Sequence, residues 1–304
     1  MTGSHLSSLL KLLLLTFCVL GLALCVHAEE IFSPDSSTTF SVRRDSITIP
    51  ENIPFSVGER MSYHVSFSAV PAGKAQLQVM DTVKIGDQWA WRIQSSARSA
   101  KGFDWVFKVR DTITTWVDTD SIYSHRFHKR LMEGFYKDEK LVKFSLADSL
   151  AYWWDEAVEK TPKKVEPRVQ DVLSAGYRTR TVPLEVGDTI AIRTHDVKVT
   201  YDLLVFVLAR DTVQTLAGEF DCFVCEPVLK SGGLFQKERK AHVYVWVTAD
   251  ERRIPVVMSS KVSFGSFTVE LEDYVPGVGK SGVTDFEKLR AREDGRPDLG
   301  VYAP

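Results

Sequence analysis

The residues best equipped for chemistry are few, and their spacing works against most reactions. Cys222-Phe223-Val224-Cys225 has the C-x-x-C spacing of a redox pair or half a zinc site. Redox C-x-x-C motifs open a helix, whose dipole lowers the thiol pKa. Here the motif lies inside an alternating run of β-branched and aromatic residues, and positions i and i+3 of a strand point to opposite faces. The two sulfurs would then neither bridge nor share a metal, and no second cysteine pair completes a zinc site. Two buried, inert thiols are expected. Gly277-Val278-Gly279-Lys280-Ser281 matches the end of a phosphate loop, but the position that must be the first glycine is Tyr274. His125 and His128 are also three apart in an expected strand, and His64, His195 and His242 are isolated. His-x-x-x-His, His-Glu-x-x-His and Gly-x-Ser-x-Gly are all absent. Asp148, Asp155 and Glu156 flank aromatic residues. Paired carboxylates could hydrolyse glycans only at a separation set in three dimensions. The sequence thus supplies no catalytic residue, no cofactor site and no metal ligand, and a non-catalytic protein is expected.

The aromatic residues are the better candidates. Trp153 and Trp154 are adjacent, so in a strand they face opposite sides, with Tyr152 joining one of them. One of them must leave the local core unless a second layer covers it. Trp89 and Trp91 share a face and read as core, and Trp105 and Phe107 share a face of their own. The candidate ligand or partner surface is Tyr152, Trp153, Trp154, Trp105 and Phe107, suited to an apolar or sugar ligand.

The elements that must position these residues are strands. Tyr63, Val65, Phe67 and Ala69 alternate with His64, Ser66 and Ser68. Pro71-Ala72-Gly73-Lys74 and Ile85-Gly86-Asp87 read as turns. Further runs cover 89–94, 103–109, 113–117, 197–208, 220–224, 242–248, 254–258 and 262–271, rich in β-branched and aromatic residues. Leu203-Leu204-Val205-Phe206-Val207-Leu208 has no polar position, so both its faces are expected to be covered. One short helix is expected after Asp171, with Val172, Leu173, Ala175 and Tyr177 at helical spacing and Ser174 and Gly176 weakening it. The fold class is all-β with one short helix, in antiparallel meanders forming an open barrel or wrapped, curved sheets.

Bulk composition agrees with an ordinary globular chain. Its 304 residues carry 38 basic and 40 acidic side chains, and 44% are hydrophobic. These values exclude a disordered chain, a polytopic membrane protein and a strongly basic nucleic-acid binder. Residues 1–28 differ in kind. Lys11 precedes an uncharged apolar run over 12–26, and Val26-His27-Ala28 places small side chains where a signal peptidase needs them. The run is short for a membrane span, and Leu24 before Cys25 argues against a lipoprotein anchor. Cleavage after Ala28 leaves 276 residues, a net charge of −3, and Cys222 and Cys225 as the remaining cysteines. Residues 29–54 read as a disordered leader, 55–275 as a single β-rich domain and 276–304 as a flexible tail, with a short helix over 285–292.

The two halves of the domain echo each other. Phe55-Ser56-Val57-Gly58-Glu59 resembles Leu184-Glu185-Val186-Gly187-Asp188, Gly102-Phe103 resembles Gly233-Leu234, and Trp116-Val117-Asp118-Thr119-Asp120 resembles Trp246-Val247-Thr248-Ala249-Asp250. The offsets are nearly constant, about 130 residues. An internal duplication is expected, with half-repeats at about 55–130 and 184–272 and an insert over 131–183.

These motifs resemble the domain-of-unknown-function 3108 family of exported bacterial proteins. Phe55-x-Val57-Gly58-Glu59-Arg60-Met61-x-Tyr63, followed by Ala72-Gly73-Lys74-Ala75, is similar to its first strand pair. Asp171-Val172-Leu173-Ser174-Ala175-Gly176-Tyr177-x-x-Arg180 resembles its central helix, with Gly176 as a departure. Thr248-x-Asp250-x-x-Arg253-Ile254-Pro255-Val256 and Phe264-Gly265-Ser266 with Glu270-Leu271 are similar to its C-terminal hairpin. The resemblance implies an exported β-rich protein of unassigned activity and carries over no catalytic residue. The expected role is binding in the periplasm or at the cell surface, of an apolar or lipid-like ligand or an envelope component. A structural or assembly partner in the envelope is the alternative, and a glycan-acting enzyme a further one. No nucleic acid partner is expected, and no membrane-integral state after cleavage.

Overall fold

The computed structural model describes residues 41–44, 53–105, 107–230, 242–262 and 265–278. The expected signal peptide and the helix over 285–292 lie outside the described residues.

Alternation of apolar and polar side chains builds two antiparallel meanders. The first runs through β2 (Arg60–Phe67), β3 (Val70–Ile85), β4 (Gln88–Ser99), β5 (Arg110–Asp118), β6 (Ser124–Glu133), β7 (Tyr136–Ser145), β8 (Leu150–Asp155) and β9 (Val158–Lys164). A single helix, α1 (Val172–Thr179), follows. The second meander is β10 (Asp188–Asp196), β11 (Val199–Thr215), β12 (Gly218–Lys230), β13 (Val243–Thr248), β14 (Pro255–Val262) and β15 (Gly265–Val275). β15 pairs antiparallel with β2, from Phe267 opposite Phe67 to Val275 opposite Arg60, and joins both meanders into one sheet. β1 (Ser41–Arg44) adds a parallel strand to β10. The sheet curls without closing. Beyond β9, the chain touches β10 through one parallel bridge, Gln170 to Thr194, and an ion pair of Glu166 with Arg193 at 2.8 Å.

The core fills the inside of this open barrel. Met61, Tyr63, Ile93, Ile113, Phe127, Ile190, Ile192, Ile254 and Leu271 are fully buried there. α1 lies inside as well, packed against β5 and β10, with Val172, Leu173, Ala175 and Tyr177 all buried. Its start is fixed by Asp171, whose carboxylate accepts from the Leu173 and Ser174 amides at 2.8 and 2.9 Å, while the Ser174 hydroxyl accepts from the Asp171 amide. This is a capping box with serine at the return position. Asp171 also bonds Thr115 of β5, which ties the cap to the wall.

Strands β2 to β7 correspond one by one to β10 to β15. β3 and β11 have 16 and 17 residues, and β4 and β12 have 12 and 13. Bulges fall at Val79/Asp81 and Val207/Ala209, and again at Trp116/Val117 and Trp246/Val247. Gly58 and Gly187 both take a left-handed φ, +91° and +93°, and donate to the carbonyls of Val79 and Val207. A side chain would strain both turns. The correspondence passes residue 130, which lies inside β6, and reaches β7 opposite β15. The landmark residues stopped at Asp120 and gave no signal for it.

Three sequence expectations are corrected. Pro71-Ala72-Gly73-Lys74 is not a turn but lies within β3, and the chain turns instead at Ser68-Ala69. Residues 103–109 do not form a strand: 101–105 are a turn, and β5 begins at Arg110. Trp105 is therefore 85% exposed while Phe107 is 8% exposed, and the two share no face. The leader over 29–54 contains β1, and Ile53 is buried in the core. β1 is exposed along its length and needs no apolar pattern, because it docks by backbone pairing on a sheet edge. Arg43 adds bonds to Asp188 at 2.9 Å and the Pro183 carbonyl at 2.6 Å.

Candidate functional site

Three sequence blocks meet at Arg180. Its guanidinium donates to both oxygens of Glu59, each at 2.7 Å, in a bidentate pair buried on both sides. It also donates to the Arg252 carbonyl at 3.0 and 3.2 Å, which brings in the turn between β13 and β14. Its flat faces lie 5.3 Å from the Phe55 ring and 5.2 Å from the Tyr177 ring. Those rings meet edge-on at 4.9 Å, and Trp91 packs on Phe55 at 5.2 Å. Burial alone would pull the Arg180 pKa down, but the Glu59 carboxylate more than reverses this and keeps the guanidinium charged. Burial raises the pKa of Tyr177, with Glu59 adding to it, so that phenol stays neutral.

Beside this pair the two meanders do not fully meet. They leave an apolar cavity of about 90 Å³. Leu77 and Tyr63 line it from the first meander, Leu203 and Val245 from the second, and Gly176 and Tyr177 from the helix. Gly176 contributes no side chain where the helix faces the space. The Tyr177 hydroxyl is buried and has no hydrogen-bond partner in the protein. A buried donor without a partner costs about 1–3 kcal/mol. The lining is thus largely apolar with a few polar residues, Tyr177 and Arg180 among them.

The aromatic residues singled out in the sequence do not gather in one place. Trp153 turns inward, is 6% exposed, and donates to the Thr161 carbonyl at 3.0 Å. Trp154 turns outward, with the Lys143 ammonium 5.0 Å from its ring. Tyr152 also faces out and donates to Asp148 at 2.5 Å. Trp105 is isolated in its turn, and Phe107 is core. Trp154 lines an outer groove of about 920 Å³ whose other walls are largely charged, among them Arg110, Arg130, Lys137, Glu139 and Glu156.

The remaining reactive groups are engaged or buried. Cys222 and Cys225 are free and buried, and burial pushes each thiol up to about 12. His125 meets Asp118 at 3.1 Å, His128 meets Glu139 at 2.9 Å, and His242 meets Glu226 at 2.6 Å. His195 contacts Thr200 and the Val197 carbonyl, and burial lowers its pKa. Glu133 is fully buried beside Asp111. Burial, then the neighbouring Asp111 carboxylate, pushes it up to about 8. Among the described residues, no group of three or more His, Cys, Asp or Glu side chains is placed to hold a metal. Nor, among them, is any helix long and apolar enough to cross a membrane.

The signal for this site was present in the sequence but not assigned. Glu59, Tyr177 and Arg180 lay in the motif blocks without a role, because nothing local says that Glu59 and Arg180 face one another.

The fold has relatives among solved structures. A β-barrel-like protein of domain of unknown function DUF1849 from Brucella abortus superposes with a TM-score of 0.50 at 12% identity, over 73% of this chain and 98% of that one. A protein described as exported, with a YmcC-like fold, from Bacteroides fragilis gives a TM-score of 0.33 at 12% identity, over 74% and 99%. A protein described as a lipoprotein from Parabacteroides distasonis gives 0.34 at 9% identity, over 74% and 99%. The search of curated proteins gave no match. The family profile of DUF3108, a protein of unknown function, matches residues 62–272, from β2 through β15, and the chain belongs to that family.

Proposed function

We propose that this is an exported, non-catalytic protein of the cell envelope that holds an apolar segment of a ligand in the cavity beneath α1. The signal-peptide pattern over 1–28 supports the location. One observation carries the binding: an apolar cavity is lined in part by Tyr177, whose buried hydroxyl has no hydrogen-bond partner in the protein. Binding sites are mostly apolar with a few placed polar groups. The size limits the occupant. Dry cavities of ~150 Å³ take up a benzene-sized molecule, and pockets for whole drug-sized ligands span roughly 300–1,000 Å³. A cavity of about 90 Å³ suits the end of an acyl chain or a small apolar group, with the remainder of the ligand outside.

Mass spectrometry of protein purified from its native host tests the reading. An amphiphile should co-purify with the wild type and be lost from Gly176→Leu, which fills the cavity. Equal recovery from both proteins, or no ligand at all, removes this function. An envelope partner bound without lipid would favour the assembly reading instead, and in-cell cross-linking would trap it.

A further inference from the structure

The outer face of the first meander carries a row of directly opposed residues. Asp81 of β3 faces Arg92 of β4, Arg92 faces Trp116 of β5, and Trp116 faces Arg126 of β6. Arg126 then faces Lys143 of β7, and Lys143 faces Tyr152 of β8. Directly opposed residues share a face with Cβ atoms roughly 4.5–5.5 Å apart. Both ends of the row are engaged: Arg92 pairs with Asp81 at 2.5 and 3.0 Å, and Tyr152, itself uncharged, donates to Asp148.

The middle is not neutralised. Arg126 and Lys143 are two cations set against each other, an arrangement that repels. Among the described residues neither has a carboxylate within ion-pair distance. Glu139, two same-face rows away opposite Arg130, is taken by His128 at 2.9 Å and Arg130 at 3.5 Å. What each cation does have is an aromatic wall. The Arg126 guanidinium lies 5.4 Å from the Trp116 ring, and the Lys143 ammonium 5.0 Å from Trp154. The rings hold the cations in place and exclude water from one side, but they do not cancel the charge. Both cations are half-buried, and in Arg126 burial alone pulls the pKa down, with no carboxylate acting against it.

We propose that Arg126 and Lys143 form an anion site for a phosphate group, walled by Trp116 and Trp154. The guanidinium supplies a planar fork that can bond two phosphate oxygens, and the ammonium supplies a point charge beside it. A dianion or diester between them would turn a repulsive pair into a bridged one. The outer groove adjoins the site at Lys143 and Trp154, so the phosphate can belong to a larger molecule. The site lies on the opposite face of the sheet from the cavity and is independent of it.

Thermal unfolding of the mature protein in inorganic phosphate, against sodium chloride of equal ionic strength, tests the proposal. Sedimentation with phosphatidylglycerol and phosphatidylcholine vesicles forms the second arm. Phosphate should raise the melting temperature beyond chloride, and Arg126→Met or Lys143→Met should weaken binding about tenfold or more. Response to free phosphate identifies a soluble phosphate source. Retention on phosphatidylglycerol vesicles alone identifies a lipid headgroup. Either supports the site if the variants lose it. Equal effects of phosphate and chloride with no vesicle preference overturn the proposal, as does a double variant that binds like the wild type. If Arg126→Met fails to fold, Lys143→Gln makes the same comparison, because it leaves the Arg126–Trp116 contact intact.

Discussion

Glu59 and Arg180 stand 121 residues apart, one before the first long strand and the other at the end of the helix, and they form a buried bidentate pair. The pair links the start of the first meander to the interior helix, and the Arg252 carbonyl ties the second meander to the same guanidinium. Removing one member leaves a buried charge without its partner. Glu59→Gln and Arg180→Met should each lower unfolding free energy by roughly 3–5 kcal/mol. The double variant Glu59→Leu with Arg180→Met should cost less than the two singles together, since no charge is then stranded. Urea denaturation of all three measures this. Singles that cost under ~1 kcal/mol would mean that water reaches the pair.

Gly176 interrupts a helix at the point where that helix lines the cavity. A glycine inside a helix costs about 1 kcal/mol relative to alanine, and its φ is not in the left-handed range here. Gly176→Ala should therefore stabilise the protein by roughly 0.5–1 kcal/mol, with a further small gain from the methyl group filling apolar space. A loss of stability in urea would show that the cavity wall has no room at this position.

Much of the architecture could be read from alternation, and the misreadings have local causes. Tyr63, Val65, Trp91 and Ile93 alternate because one face is wet, and the structure buries all four. The run 203–208 is covered fully on one face and partly on the other. Leu203, Val205 and Val207 join the main core, while Phe206 and Leu208 pack with Val224, Tyr244 and Trp246 on the outer face and Leu204 is half-buried. The turn over 101–105 mimics a strand in sequence because Phe103, Trp105 and Phe107 happen to alternate. Ser99 and Arg110 bonding Asp104, at 2.5 and 2.6 Å, is what bends the chain there. The cavity was not legible at all. It results from how far two meanders fail to meet, and no single residue encodes that distance.

Glu133 makes stability depend on pH in an unusual direction. Its folded pKa, pushed up to about 8 by burial and by Asp111, lies well above the ordinary value of 4.5. Between those values the folded state holds a proton that the unfolded state has released. Stability should thus fall as pH rises from about 5 to 8 and level off above. Lys129, which meets Asp138 at 3.3 Å, partly offsets the effect. Glu133→Gln keeps the neutral shape and should flatten this slope and be the more stable protein at pH 8. Urea midpoints at pH 5 and pH 8 for both proteins check it, and parallel slopes would place the titration elsewhere.

Cys222 and Cys225 offer a direct test of strand geometry. Burial holds both thiols near 12, so hardly any thiolate exists at pH 8 and a thiol reagent finds no nucleophile. Dithionitrobenzoate should label neither in the folded protein and both in urea. Diamide should likewise fail to join them while the protein is folded. Their i, i+3 spacing on β12 sends the side chains to opposite faces of the sheet, and a disulfide needs Cβ atoms within roughly 3.5–4.5 Å. In urea, where no strand separates them, the same reagent should close the short C-x-x-C loop. A disulfide formed under native conditions would require β12 to lose its register between Asp221 and Glu226. That would also unpair Cys222 from Thr248 and Cys225 from Val245. The protein would then melt at lower temperature when oxidised, which separates a register failure from simple slow access of the reagent.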